Sequence, residues 1–175
     1  MRNRFVFLFV LVAILFACSS DSISNDDLDL INLEVKLQAG TERPFKIKKV
    51  EGTYSFIPGD GESCSAIVLN AIGEGTMSHL GFSTMLEEWC SNGPTDLGTR
   101  SITIIAANGD ELRGTHSTIL FTSATSFEET LNFDGGTGRF ENAKGVFIET
   151  VEIIEDIPGG PTGTFVMSGE GTITY

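Results

Sequence analysis

The sequence predicts an all-β protein, a closed antiparallel barrel of about eight strands. Three observations carry that prediction. From about residue 44 onward, segments rich in Ile, Val, Thr and Phe alternate with clusters of Gly, Pro, Asn and Asp at a spacing of about 12–16 residues. No convincing helical pattern lies between those segments, which leaves an antiparallel sandwich or a barrel. Finally, the pairs Gly73/Gly75 and Gly169/Gly171 fall inside strand-like stretches, where missing side chains relieve crowding as a sheet coils to close on itself. Closure also removes the unpaired edges that invite aggregation.

Each element has its own signal. Leu30–Leu37 reads two ways: alternation of Ile31, Leu33, Val35 and Leu37 favours an extra strand, while Leu30, Leu33 and Leu37 also suit a short helix. The first barrel strand spans Phe45–Phe56 and ends at Pro58-Gly59-Asp60-Gly61. The second and third run over about Cys64–Ser78 and Phe82–Cys90, the latter stopped by Asn92-Gly93-Pro94. Arg100–Ala107 and Glu111–Thr122 flank Asn108-Gly109-Asp110, a hairpin signal. Ser126–Phe133 stops at Asp134-Gly135-Gly136, and Gly145–Glu155 turns through Pro158-Gly159-Gly160-Pro161 into Gly163–Tyr175. That last strand alternates best. Phe165, Met167, Ile173 and Tyr175 share a face with Gly169 and Gly171, and Val166 is the one apolar residue opposite.

Composition bounds the rest. A chain of 175 residues, 41% hydrophobic and 20% charged, fits one domain and is too apolar for wholesale disorder. Eleven basic against 24 acidic residues, a formal net charge of −13, argue against a nucleic-acid-binding surface. The N-terminus supplies an address. Arg2 and Arg4 precede an apolar run from Phe5 to Ala17, long enough for a signal-peptide core but short of the roughly 20 residues of a membrane span.

The end of that run, Leu15-Phe16-Ala17-Cys18, resembles the lipobox of bacterial lipoproteins, although Phe16 is bulkier than usual there. The resemblance implies removal of residues 1–17, lipidation of Cys18 with palmitate-type acyl chains, and attachment to a bilayer. Ser19 after the cysteine resembles outer-membrane sorting, with the periplasmic and surface faces both open. Residues 18–29 are polar and acidic and read as a flexible tether, and residues 30–175 as the barrel domain. In such an oxidising compartment Cys64 and Cys90 have one possible pairing, with free buried thiols as the alternative. A bond would close a loop of about 27 residues, worth roughly 3.5 kcal/mol by chain entropy.

Residues 135–145 read Gly-Gly-Thr-Gly-Arg-Phe-Glu-Asn-Ala-Lys-Gly. Gly135, Gly136, Thr137, Gly138, Phe140, Ala143 and Gly145 match the GGTGxFxxAxG segment of the allene oxide cyclase and dirigent barrels and of related bacterial proteins. Gly75–Gly81, with His79-Leu80-Gly81, is similar to a GxxxHLG segment of the bacterial branch. The resemblance implies an eight-stranded barrel with a central cavity. It does not imply the plant cyclase reaction, since no catalytic residues match one by one.

Candidate chemistry centres on His79, with Glu74, Glu87 and Glu88 near it in the chain. An imidazole beside a carboxylate in a dry lumen suits proton transfer, while a His that merely fixes a turn is the blander reading. Glu74, His79, Glu87 and Trp89 are therefore the candidate lumen residues, with the opening expected near Gly75–Gly81. Trp89 suits core packing or a platform at the barrel mouth. His116 reads as a surface or lumen polar residue, and Glu128-Glu129, Glu152, Glu155 and Asp156 as solvated acidic patches. No metal or cofactor motif is present, so none is expected. The functional expectation is a membrane-anchored module binding a small apolar molecule or a protein partner. The alternative is an isomerase or cyclase acting in the lumen.

Overall fold

The computed structural model describes residues 40–92, 98 and 100–175. The signal segment 1–17, Cys18, the tether 18–29 and the ambiguous stretch 30–37 lie outside the described residues. Eight strands form one closed antiparallel barrel in sequence order: β1 (Arg43–Pro58), β2 (Ile67–Met77), β3 (Gly81–Ser91), β4 (Arg100–Ile105), β5 (Glu111–Phe121), β6 (Ser126–Gly136), β7 (Lys144–Glu155) and β8 (Thr162–Thr174). Strand β8 closes the ring by pairing with β1, Tyr54 opposite Gly163 and Phe45 opposite Gly171. The expected fold class is the observed one.

Alternation sends every second side chain inward. Three β-bulges reset that parity, one of them at Asp134 in β6, where Arg113 faces Gly135 and Gly114 faces Phe133. In β1 the register shifts between Ile47 and Val50, so Phe45 and Ile47 point inward on one side and Val50 and Tyr54 on the other. In β5 the shift falls at Ser117: His116 faces Leu131, yet Thr118 faces Thr130. Before it Leu112, Gly114 and His116 point inward; after it Ile119 and Phe121 do. An extra residue on one strand re-aims everything beyond it.

The two ends differ. At one end, which also holds the start of β1 and the end of β8, the lumen is filled. Phe45 meets Phe133 and Phe147 edge-on at 5.0 and 5.3 Å between ring centroids. Phe140, from a short 3-10 turn at Gly138–Phe140, lies 5.0 Å from Tyr175 and is fully buried, as is Ala143. Each fully buried Phe contributes about 1.5–3 kcal/mol through removal of apolar surface from water.

Loop-to-loop hydrogen bonds stitch this floor. Ala107 N–H donates to the Leu80 carbonyl at 3.1 Å, and Thr137 N–H to Glu111 at 2.8 Å. Glycine suits position 138: its φ is +56°, in the left-handed region, and a Cβ there would push the Asp110 carboxylate aside. Inside the wall, a Cβ on Gly73 would strike the Phe165 ring at 2.8 Å, so that glycine lets β8's aromatic side chain cross the lumen.

At the other end Cys64 and Cys90 form a disulfide, with Cα atoms 5.5 Å apart, tying the β1–β2 loop to the end of β3. The Asp60 carboxylate accepts backbone N–H bonds from Glu62, Ser63 and Cys64 in the same loop. Those bonds, Cys64's foremost, hold its carboxyl below the ordinary range.

Candidate functional site

Above the packed floor the lumen opens into a cavity of about 350 Å³. Its walls are largely apolar: Phe56 from β1, Leu69 from β2, Phe121 from β5, Phe127 from β6 and Ile153 from β7. Trp89 from β3 meets Phe56 edge-on with centroids 6.3 Å apart. Phe121 and Phe127 pack at 5.7 Å, completing an aromatic collar.

Between collar and floor, five neighbouring strands each place one ionisable side chain inward. They are Glu87 (β3), Arg100 (β4), His116 (β5), Glu129 (β6) and Glu149 (β7), and Glu87, Arg100 and Glu129 border the cavity. Arg100 is 7% exposed and pairs directly with Glu129, while its Nη2 lies 3.5 Å from Glu87 Oε1. Its guanidinium also sits 5.3 Å from the centre of the Trp89 ring, where a cation meets the negative π face. His116 has no exposed side-chain surface. Its Nε2 lies 2.9 Å from Glu149 Oε1, and its Nδ1 lies 3.8 Å from Glu87 Oε1 without a hydrogen-bond partner. Arg100 Nε and Glu149 Oε2 are likewise buried and unpaired.

The electrostatics follow from three carboxylates facing one guanidinium in a dry space. Burial pushes Glu87 up to about 7, with Glu129 and Glu149 adding to the push while His116 and Arg100 oppose it. Burial also raises Glu149 to about 7, against contacts with Glu129 and Arg100. Glu129 rises for the same reason, held back by His116 and Arg100. The His116 imidazole is pushed below its ordinary value by desolvation, despite Glu87 and Glu129. The chamber therefore exchanges protons near neutrality. Losing any one charge would strand its partner without water.

The sequence-derived candidates divide. Glu87 and Trp89 border the cavity. Glu74 points outward into solvent, and His79 lies at the sealed end, so the expected opening near Gly75–Gly81 is instead the floor. His79 is a turn residue: at φ +66° its Nε2 meets the Pro44 carbonyl at 2.8 Å, and its own carbonyl accepts from Arg139 at 2.6 Å. The 135–145 segment builds that same floor. Glu129, expected on a solvated face, is buried, and His116 belongs to the lumen. Arg100 and Glu149 were not singled out from the sequence at all.

A closed eight-stranded barrel, sealed at one end and charged across its waist, is the class that the topology and chamber define. No family model and no curated protein matches the chain. Among solved structures it is similar to the pterocarpan synthase dirigent protein, at 13% identity and a TM-score of 0.44, over 79% of this chain and 88% of that one. The class stands on the strand order and lumen, not on that likeness.

Proposed function

We propose that this protein is a lipid-anchored module whose barrel takes up a small, largely apolar molecule end-on through the aromatic collar. The observation that carries the reading is the cavity itself: apolar walls above, and a few convergent polar groups below at Arg100, Glu87 and Glu129. A ligand of matching size would bury its hydrocarbon against Phe56, Trp89, Phe121 and Phe127, and set one hydrogen-bonding group on the chamber. The anchor half of the proposal rests on Arg2, Arg4 and the Ala17-Cys18 junction, and its outer-membrane address on Ser19, with either face of that membrane open. Cys18→Ser should abolish palmitate labelling; unchanged labelling rejects the anchor.

The binding half is tested by mass spectrometry of small molecules released from purified protein. Ala71 borders the cavity, so Ala71→Phe should occlude it and lower ligand content per folded molecule. Equal content in both proteins, or none in either with no uptake of apolar probes, rejects it. The place of Glu87 on the cavity wall favours a second reading, an isomerase or cyclase: burial pushes its carboxyl up to about 7, where it could give and take a proton. In that case Glu87→Gln would retain binding and lose turnover.

A further inference from the structure

We propose that the chamber is a binding site for one divalent transition-metal ion, held by His116 Nδ1 and by carboxylate oxygens of Glu87 and Glu129. These three side chains offer donor atoms that all lie within 4.8 Å of one another. Neighbouring donors around a tetrahedral ion with bonds near 2.1 Å are about 3.4 Å apart, so rotamer shifts of about 1 Å suffice to close the site.

The independent observation is His116. Its side chain is wholly buried, its Nδ1 has no hydrogen-bond partner, and that atom lies 3.8 Å from Glu87 Oε1. A buried ring nitrogen left without a partner is costly in a stable core. With Glu149 ionised, Nε2–H donates to Glu149 Oε1 at 2.9 Å, which leaves the Nδ1 lone pair free. A carboxylate behind the imidazole is the arrangement that orients a metal-ligating His and raises its basicity.

Charge gives the same answer. Glu87, Glu129 and Glu149, when ionised, exceed Arg100 by two negative charges, and a divalent cation cancels that excess. Arg100 need not leave: it pairs with Glu129 through Oε1, while Oε2 lies 3.6 Å from His116 Nε2 and would swing toward the Nδ1 edge of the ring to reach the ion. One imidazole with two carboxylates suits Zn²⁺ and its first-row neighbours more than Ca²⁺ or Mg²⁺. Three protein donors leave at least one position for water or ligand, and Glu87 and Glu129 border the cavity from which it would come. The inference rests on the chamber's donors and does not require the apolar-ligand reading.

The test uses the full chain in detergent, stripped with EDTA. Trp89 is the single tryptophan and lies beside Arg100, so it reports on the chamber. Titrated Co²⁺ should quench Trp89 fluorescence and saturate at one equivalent, and Zn²⁺, which does not quench, should displace it and restore the signal. His116→Gln and Glu87→Gln should each weaken Zn²⁺ binding tenfold or more in calorimetry, with near-ultraviolet circular dichroism confirming the fold. Absence of saturable quenching, quenching that Zn²⁺ does not reverse, or affinity unchanged in both folded variants overturns the site. If a variant fails to fold, the wild-type displacement experiment decides alone. Ligand content in the Ala71→Phe protein is read separately, so failure of the apolar-ligand reading leaves this result standing.

Discussion

The two halves of the lumen are built from the same strands and solve opposite problems. Toward the floor, Phe45, Phe133, Phe140 and Phe147 fill the interior and leave nothing to bind. Toward the mouth, equally aromatic positions such as Phe56, Phe121 and Phe127 stand around a space instead of occupying it. Eight strands permit either outcome, since such a barrel is just wide enough to be filled or to hold one small ligand. What separates the halves is the belt of Glu87, Arg100, His116, Glu129 and Glu149. Ionic side chains need partners at fixed distances, and the pairs Arg100–Glu129 and His116–Glu149 hold polar groups across the waist where apolar residues would otherwise meet.

The comparison predicts its own sharpest test. Phe147→Ala, in the filled half, should cost about 3–5 kcal/mol and lower the thermal midpoint by about 10 °C or more. Phe127→Ala, in the open half, should cost about 1–2 kcal/mol while changing probe uptake. Equal losses from the two would erase the distinction. Next in size is Glu129→Ala, which strands Arg100 in the belt and should destabilise by about 3 kcal/mol; Glu129→Gln should lose less. Chemical denaturation of both variants checks the order.

Acidity should separate the halves as well. Glu87 and Glu149 titrate near 7 when folded against an ordinary 4.5, so between those values the folded state holds protons that the unfolded chain has released. Stability from these groups is greatest below about 4.5 and is lost as pH rises through 7. His116 works the other way: its folded value lies below the ordinary 6.5, so it removes stability as pH falls past that point. Two carboxyls outweigh one imidazole, and Glu129, also raised, adds to them. The thermal midpoint should therefore rise as pH falls from about 7 to 5, with His116 blunting the rise below 6.5, and Glu149→Gln should reduce it. A midpoint that falls over that range contradicts the charge assignment. The smallest effect belongs to the floor: His79→Ala should cost about 1 kcal/mol in chemical denaturation, through its bond to Pro44.

Strand positions were legible because turns are written in Gly, Pro, Asn and Asp, and strands in alternation. Gly145–Glu155 and Gly163–Tyr175 fall within a residue of β7 and β8. The belt was legible only in hindsight, yet its signal is present. Glu129 sits two residues from Phe127 and Leu131, Glu149 two from Phe147 and Val151, and Arg100 two from Ile102. A charge in the apolar phase of a strand points inward, and Glu87, between Met85 and Trp89, repeats that pattern, whereas His116 lies between Gly114 and Thr118 and carries no such mark. Proximity in the chain misled where it joined Glu74 to His79, because consecutive strand residues face opposite sides and a strand's end lies far from its middle. The bulges in β1 and β5 carry no sequence mark comparable to a turn, and each inverts the faces beyond it.

Ser117 gives the wall something like a reading frame. Below it the even-numbered residues of β5 are read into the lumen; above it, the odd-numbered ones. Deleting that one serine would only make the ladder regular: Thr118 would follow His116 directly, still paired with Thr130 and facing outward, and Ile119 and Phe121 would keep the lumen face. Losing a residue beyond it, Ile119 for instance, would instead bring Leu120 to the collar and turn Phe121 outward. Ser117 is thus slack in the wall, a residue the strand carries without changing what the mouth presents.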